Sequence, residues 1–460
     1  MEKMYDSPAM MSVFPIYSLM DRQTVFWTCV YIFGLWLAVE LAFWFVVANI
    51  VSPRLNKLAK PDPLENHPGL FLDRIMSVVR DLKCYTFEQY YEGFFLGSKF
   101  SDIYYDNILS FLAWAVFGKH AHDLHPREAK ATRKFVDHLM ENYECFRNLQ
   151  PGYNPNVQHC NFTLQPVPYV HRPLLLYVIN GLNEVLCNAL CFRLHGFQFL
   201  EVGGVTYWIK QGAKTDLPPM MFFHGISPGW SFYVMMIRYM ATERTIIMVD
   251  LEAVKIKSMC FYMPTVDHFT EHILHILRRH HIDKVSLVGH SFGTIVAGWV
   301  VSKYPEIVTH VTLIDPVSLL LALPDVAFSF VYRRPQRLVE WILYIMAARE
   351  ITISHMLHRY FTWHKNVLWL EDIPAHIGVV VAIGSRDEIA NAEAVEEYTL
   401  LCQAKRQQAK EQGGGDGRGV TDIVFVGWKN YSHGQVLMLP STLTALQRTV
   451  YANEKQSKEY

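Results

Sequence analysis

The stretch VSLVGHSFGTIVAGWVV, residues 285–301, decides the fold. It begins with a short apolar run typical of a buried strand and ends in a pattern that suits a helix. Between the two lies GHSFG at 289–293, a G-x-S-x-G motif. A sharp turn from strand to helix requires small residues around the serine, which Gly289 and Gly293 supply. Ser291 is therefore predicted to project above a sheet at a helix N-terminus, where peptide dipoles favour developing negative charge.

Similar apolar runs flank this stretch and are separated by helical patterns. They are MMFF at 220–223, TIIMV at 245–249, VTLI at 311–314, GVVVAI at 378–383 and DIVFV at 422–426. Buried strands that alternate with helices predict an α/β domain, with a mostly parallel sheet covered by helices on both faces. Upstream, FQFLEVGGVTYWIK at 197–210 predicts a β-hairpin closed by a two-glycine turn.

A second functional segment is His224-Gly225-Ile226, at the end of the run that begins at Met220. A serine nucleophile that attacks a carbonyl needs backbone N–H groups directed at the developing oxyanion. The N–H groups of Ile226 and Phe292 are the two predicted donors, and His224 and Gly225 support the loop. The alternative interpretation of His-Gly is an ordinary turn between strand and loop.

A serine hydroxyl also needs a base, and a third group must orient that base. Asp387 follows the run GVVVAI, and His433 lies in the loop after DIVFV. Both come after the C-terminal ends of predicted strands, where ligands gather in open α/β sheets. Asp315, after VTLI, is the alternative acid. Glu388 is expected to be a solvated neighbour of Asp387.

From about residue 196 to 448 the chain resembles the α/β-hydrolase superfamily, on HGIS, GHSFG, the GSRDE turn and the late SHG in that order. The resemblance implies Ser291 as nucleophile, Asp387 as acid and His433 as base. Epoxide hydrolases and haloalkane dehalogenases of this superfamily carry an aspartate at the position of Ser291, so the resemblance speaks against both. Residues 1–195 match no family that we can name.

A membrane-spanning helix is predicted near the N-terminus. Residues 26–48 read FWTCVYIFGLWLAVELAFWFVVA, with Glu40 as the only charge. This length crosses a hydrocarbon core of about 30 Å, and Ser52-Pro53 is expected to end the helix. A slight excess of basic residues after the span favours a single-pass protein with a cytoplasmic-facing body. The apolar segment 174–192, interrupted by asparagines, is interpreted as a core or membrane-surface helix and not as a second span.

The full prediction is an α/β-hydrolase fold with a helical cap insertion, an N-terminal transmembrane helix and a helical extension. The predicted segments are a tail at 1–25, the transmembrane helix at 26–51, an aromatic-rich helical extension at 52–195, the first part of the core at 196–317, a helical cap or lid at 318–376, the second part of the core at 377–448 with a flexible loop at 403–419, and a tail at 449–460. The cap carries apolar faces beside arginines, which suggests contact with a lipid surface.

The amino-acid composition excludes several classes of protein. The 460 residues include 42 basic and 43 acidic ones, a balance that leaves no electrostatic footprint for nucleic acid. Hydrophobic residues make up 51% of the chain, too many for a disordered protein. The eight cysteines form no C-x-x-C pair, so neither a zinc ribbon nor a disulfide scaffold is indicated. No cofactor and no metal is expected.

These features predict a membrane-anchored serine hydrolase that cleaves carboxylic esters through an acyl-enzyme. Its expected partners are a lipophilic acyl substrate, such as an acylglycerol, and membrane lipid; protein partners and the organelle stay open. An acyltransferase or thioesterase with the same triad is one alternative. A catalytically inactive membrane scaffold is another.

Overall fold

The computed structural model describes residues 22–64, 68–212, 217–240, 244–256, 259–412 and 421–456. Within them, eight strands form one sheet. They are β1 (Gln198–Val202), β2 (Val205–Lys210), β3 (Met220–Phe223), β4 (Ile246–Val249), β5 (Val285–His290), β6 (Val308–Ile314), β7 (Gly378–Gly384) and β8 (Ile423–Trp428).

Helices surround this sheet. The α-helices are α1 (Arg22–Val46), α2 (Ser52–Leu55), α3 (Pro68–Asp81), α4 (Phe87–Phe94), α5 (Tyr105–Phe117), α6 (Pro126–Asn142), α7 (Leu174–Cys187), α8 (Val234–Met240), α9 (Val266–Arg279), α10 (Phe292–Lys303), α11 (Pro324–Ala327), α12 (Leu338–Leu343), α13 (Ile351–Tyr360), α14 (Trp363–Asn366), α15 (Ala392–Gln412) and α16 (Pro440–Gln456).

The strand order is β1-β2-β4-β3-β5-β6-β7-β8. β1 and β2 form the predicted hairpin, in which Val202 pairs with Val205, and β2 is also antiparallel to β4. From β4 to β8 all neighbours are parallel. This confirms the predicted α/β-hydrolase fold, in which loops at the carboxyl ends of parallel strands meet at one edge.

Both faces of the sheet are buried. Phe223 and Leu287 pack into one hydrophobic cluster, whereas Phe222 and Val288 pack into a second cluster on the opposite face. Alternate side chains of a strand point to opposite faces, so a strand covered on both sides must be apolar throughout. The continuous apolar runs of the sequence follow from this burial.

Helices α3–α6 of the extension pack on the same side of the sheet as the cap. Apolar side chains of α3–α6 share one cluster with β-strand residues and with the cap. Gly93 on α4 makes this contact close, because a Cβ there would lie 2.8 Å from the Cβ of Pro324 on α11. Tyr85 donates a hydrogen bond to Asp325 on the same cap helix. The extension is therefore part of the wall around the site.

Two predicted segments near the C-terminus are wrong. Residues 403–412, expected in the flexible loop, belong to α15, because QAKRQQAKEQ consists of good helix formers. The glycine-rich remainder at 413–419 lies outside the described residues. Residues 449–456, expected in a tail, belong to α16. There Glu454 is buried and accepts hydrogen bonds from Arg244 at 2.8 and 2.9 Å, so the end of the chain completes the core.

Ser52-Pro53 does not end the N-terminal helix. A helical segment runs from Gln23 to Leu55, and a π-helical turn at Val47–Val51 precedes the proline. A π-helical turn is wider than an α-helical turn. It accommodates Pro53, which has no backbone N–H and whose ring crowds the preceding turn. By length and composition, this segment and a second one, Leu174–His195, qualify to cross a membrane. A signal sequence near the N-terminus would have the same length and apolar composition as Gln23–Leu55.

Candidate active site

Ser291 lies at a strained turn between β5 and α10. Its backbone has φ 52° and ψ −121°, a conformation that costs free energy in a non-glycine residue. The turn depends on its glycines: a Cβ on Gly289 would lie 2.5 Å from the carbonyl oxygen of Gly293. The N–H of Ser291 donates to the carbonyl of Ile314 at 2.9 Å, which holds the turn against β6. The side chain is consequently presented above the carboxyl edge of the sheet.

His433 and Asp387 complete a hydrogen-bonded chain that begins at this serine. The Nε2 atom of His433 lies 2.9 Å from Ser291 Oγ, and its Nδ1 lies 2.7 Å from Asp387 Oδ2. The other oxygen of Asp387 accepts the N–H groups of Ile389 and Ala390 at 2.8 and 2.9 Å, which fixes the carboxylate. The arrangement can take a proton from Ser291 and stabilise the resulting imidazolium.

Three carboxylates act on the base. Burial opposes the charged imidazolium, but Asp387, and after it Asp315 and Glu388, outweigh that effect and raise the pKa of His433 to about 9. A raised pKa means that the site favours the protonated base, the form His433 takes once it has removed the proton of Ser291.

Asp315, the alternative acid, lies close by in another role. Its Oδ2 accepts the N–H of Gly434 at 2.7 Å and its Oδ1 accepts the N–H of Gly384 at 3.3 Å. Burial disfavours its charge, yet His290, His433 and the N–H of Gly434 hold the pKa of Asp315 below its ordinary value. Asp315 thus braces the loop that carries His433, while Asp387 contacts the ring itself.

A cation could also contact this group of residues. Asp315, Asp387 and His433 each offer one ligand atom, and these atoms lie within 4.8 Å of one another. The hydrogen bonds just described already engage both carboxylates and both nitrogens of the imidazole. The geometry therefore favours proton transfer at this position over metal ligation.

Glu388 is buried, contrary to the expectation of a solvated neighbour. Only 2% of it is exposed, and its carboxylate accepts the N–H of His433 at 2.9 Å. Its other oxygen lies 3.6 Å from the guanidinium of Arg337 on the cap. The sequence placed Glu388 next to Asp387 but gave no sign of this cap arginine, which neutralises the carboxylate so that it can be buried.

The predicted oxyanion loop passes directly beside the serine. A Cβ on Gly225 would lie 2.8 Å from the Cβ of Ser291, so only glycine fits. Ile226 and Phe292 line the same cavity as Ser291. Phe292 is the first residue of α10, where a backbone N–H has no acceptor within the helix. The predicted donors therefore lie beside the nucleophile, where an oxyanion would form.

His224 holds this loop in place. Its Nδ1 donates to the carbonyl of Gly225 at 2.8 Å, and its Nε2 accepts the N–H of Leu251 at 3.0 Å. Complete burial, assisted by the charge of Lys255, lowers the pKa of His224 to about 3. The ring is therefore neutral, as these two hydrogen bonds require, and its role is to position the oxyanion loop.

Tyr233 and His290, which sequence reasoning missed, connect the oxyanion loop to the loop of His433. The Tyr233 hydroxyl accepts the N–H of Gly225 at 2.9 Å and lies 3.0 Å from His290 Nδ1. On its other side His290 Nε2 lies 3.6 Å from Asp315, which binds Gly434. His290 is the first of the two variable residues of the G-x-S-x-G motif, and nothing in the sequence links it to Tyr233.

An apolar cavity opens from Ser291. It has a volume of about 100 Å³. The α/β core, the cap and the N-terminal extension all contribute to its walls. The extension supplies residues such as Ile75, Tyr91 and Phe162, and the cap supplies Phe330 and Val331. A narrow apolar space beside a nucleophile fits a hydrocarbon chain better than a polar group.

Comparisons with known proteins identify the fold of part of the chain. A family model described as the alpha/beta hydrolase fold matches residues 218–411. A human protein named "Serine hydrolase-like protein" is 26% identical over 137 residues, which are 29% of this chain and 66% of that protein, just under two thirds of its length. The aligned part does not extend over either whole chain.

Solved structures resemble the chain at low identity. A bacterial membrane phospholipase A, described as a virulence factor, is 14% identical with a TM-score of 0.42, covering 62% of this chain and 94% of its own. Naproxen esterase from Bacillus subtilis is 15% identical with a TM-score of 0.40, covering 62% and 100%. At this low sequence identity and TM-score, the similarity to these structures does not indicate which reaction the chain catalyses.

Proposed function

We propose that this chain is a membrane-anchored serine hydrolase that cleaves carboxylic esters of lipids, since residues 218–411 match the family model of the alpha/beta hydrolase fold. The observation that carries the proposal is the hydrogen-bonded chain from Ser291 through His433 to Asp387, at the end of an apolar cavity. Neither an acyltransferase nor a thioesterase is favoured by a specific feature of the described residues.

The reaction begins when Ser291 Oγ attacks the ester carbonyl carbon. His433 Nε2 accepts the hydroxyl proton, and Asp387 stabilises the imidazolium through Nδ1. Charge that develops on the carbonyl oxygen is stabilised by the N–H groups of Ile226 and Phe292. Such a donor is worth about 3 kcal/mol in the transition state.

The intermediate collapses when the carbon–oxygen bond to the alcohol breaks. His433 passes its proton to the departing alkoxide, which leaves as the alcohol, and an acyl-enzyme remains on Ser291. Water then attacks the acyl carbon, His433 takes one of its protons, and the carboxylic acid is released as Ser291 regains its proton. The ester and one water are consumed, the alcohol and the carboxylic acid are released, and Ser291 and His433 return to their starting forms.

Lipid esters are the proposed substrates because of the cavity and the anchor. The walls around Ser291 are apolar, so a long acyl chain gains free energy there of about 0.8 kcal/mol for each buried CH₂. The apolar surface of α1 is exposed along its length, as in a helix surrounded by lipid. We propose that α1 anchors the chain as a single span with the body on the cytoplasmic side.

Activity-based labelling tests this function. Membrane-embedded wild-type protein should react with a fluorophosphonate, and Ser291→Ala and His433→Ala should not. Ser101→Ala, which changes an exposed serine on the extension, is the matched control and should label like the wild type. If the wild type stays unlabelled in lipid and in detergent, or if Ser291→Ala still labels, the proposal is wrong.

A further inference from the structure

We propose that α7 and the cap helix α12 form a second membrane-contacting surface beside α1, which places the active-site cavity against the lipid. We call this surface the lipid-facing platform. It consists of the outer sides of residues 174–195 and 338–348. The platform rests on the proposed membrane anchoring by α1 and does not depend on the reaction at Ser291.

The first observation is one-sided exposure of α7 and of the turn that follows it. Leu182, Leu186 and Leu190 are more than half exposed, and Val178 and Val185 lie on the same side at helical spacing. Of these side chains, Val185 has the largest exposed fraction, 63%. A continuous apolar stripe of this kind is unfavourable in water and typical of a helix that lies in a membrane interface.

The opposite side of α7 is fastened to the body of the protein. Glu184 accepts the N–H of Trp230 at 2.8 Å and lies 3.4 Å from the buried ammonium of Lys255. Asn183 donates to Ser231 at 2.8 Å. Polar attachments along one side keep the helix on the surface of the body, so its apolar side faces outward and the helix does not cross the bilayer alone.

The position of α7 along the membrane anchor gives its depth. The carboxylate of Glu40 on α1 accepts the N–H groups of Leu174 and Leu175 at 2.7 and 3.0 Å, and thereby caps the first turn of α7. Val47 is the first buried residue along the N-terminal helical segment, so the body of the protein begins to cover this segment there. Glu40 precedes Val47 by seven residues, which is about two helical turns or about 10 Å at 1.5 Å per residue. Interfacial helices sit about 5–10 Å into the membrane surface.

The cap helix α12 continues this surface. Its outer side exposes Leu338, Trp341 and Ile342, with Trp341 46% exposed, while Ala347 and Ala348 of the following turn are buried. The segment that enters α7 runs along this turn: the N–H of Val170 donates to the carbonyl of Arg349 at 2.9 Å. Thus α1, the start of α7 and the turn that follows α12 meet around residues 170–177.

The cap also connects the platform to the cavity. Arg349 donates to the carbonyl of Val331 at 2.6 Å, and Val331 and Phe330 line the cavity that opens from Ser291. The exposed Arg334, just before α12, adds positive charge where anionic headgroups would lie. A lipid that enters from the bilayer would therefore meet the cap before it meets the serine.

Photocrosslinking in the full chain tests the platform. p-Benzoylphenylalanine is introduced at Leu186 or Trp341, and the protein is placed in vesicles of phosphatidylcholine and phosphatidylglycerol that carry an alkyne-tagged lipid. Leu37 on α1 is the positive control. Leu400 on α15 is the matched negative control, because it is an apolar residue with 47% exposure far from the platform in sequence.

We expect lipid adducts at Leu186 and Trp341 at least about tenfold above those at Leu400. If only Leu37 gives lipid adducts, α1 is a membrane anchor and the platform is overturned. A crosslink at Leu186 or Trp341 to a second copy of the chain also overturns it and assigns the surface to self-association. Fluorophosphonate labelling of each variant reports Ser291 separately, so a failure of the proposed function is distinguishable.

A pair of charge substitutions gives an independent readout. The double variant Leu186→Glu with Trp341→Glu should hydrolyse a lipid ester in vesicles at least about tenfold more slowly than the wild type. Its rate on a short, soluble ester should be unchanged, and Leu400→Glu should change neither rate. Equal rates on vesicle substrate for the double variant and the wild type would contradict the platform.

Discussion

The pH dependence of the reaction follows from the environment of His433. Its pKa is raised to about 9 because Asp387, and after it Asp315 and Glu388, favour the imidazolium more than burial disfavours it. The difference from the ordinary pKa of 6.5 corresponds to about 3 kcal/mol in favour of the protonated ring. Asp387 makes the largest contribution among the carboxylates, and it is the one that contacts Nδ1.

The sign of the effect is fixed by which form reacts. Only the neutral imidazole can take the proton of Ser291, and this form predominates above the pKa. For the wild type, kcat/KM should therefore rise with pH, reach half of its maximum near pH 9 and level off at higher pH. In Asp387→Asn the imidazolium loses its main partner, so the midpoint should fall by more than about one pH unit. The plateau should fall on the order of 10⁴-fold, because the ring is no longer held in the reactive tautomer.

The assay is hydrolysis of p-nitrophenyl butyrate by detergent-solubilised protein from about pH 6 to about pH 10, with the rate of fluorophosphonate labelling as a second readout. Glu388→Gln is the matched control, since it removes a carboxylate that contacts the backbone of His433 and not its ring. It should lower the midpoint less and keep the plateau within about tenfold. A wild-type profile without an alkaline rise, or a larger loss of the plateau in Asp315→Asn than in Asp387→Asn, would refute this reasoning.

Three further predictions concern positioning, the cavity and stability. Tyr233→Phe removes the hydroxyl that binds the N–H of Gly225, so kcat should fall about 10- to 100-fold with little change in KM, measured on the same ester. Ile75→Trp narrows the cavity, so kcat/KM should fall for long-chain p-nitrophenyl esters and stay within about twofold for the butyrate; equal loss for all chain lengths would contradict the assignment. Glu454→Ala leaves Arg244 buried without its carboxylate and should lower the free energy of unfolding by about 3–5 kcal/mol, seen as a lower Tm, whereas Glu411→Ala on the exposed side of α15 should not.

The strands and the position of the serine were predictable because they depend on local patterns. Each buried strand is a continuous apolar run, and the glycines around Ser291 mark a turn that few other residues allow. The order of Asp387 and His433 along the chain was informative for the same reason, since both follow such runs. Their hydrogen bonds to one another and to Ser291 are in the structure and not in the sequence.

The walls and supports of the site were not predictable from the sequence because they arise from contacts between distant segments. Phe162 lies far from Ser291 along the chain, yet both border one cavity. Tyr233 and His290 are ordinary residues of a helical segment and a strand end until the fold brings them within 3.0 Å. Glu454 resembles a residue of a charged tail, and only its pairing with Arg244 explains its burial.

The most direct test of the account is detection of the acyl-enzyme. Membrane-embedded protein is mixed with an excess of an activated long-chain ester, quenched with acid during the first turnover, and digested for mass spectrometry. We expect an acyl group on Ser291 in the wild type, and neither an adduct nor turnover in Ser291→Ala. Turnover that persists in Ser291→Ala, or an acyl group carried by a different residue, would contradict it.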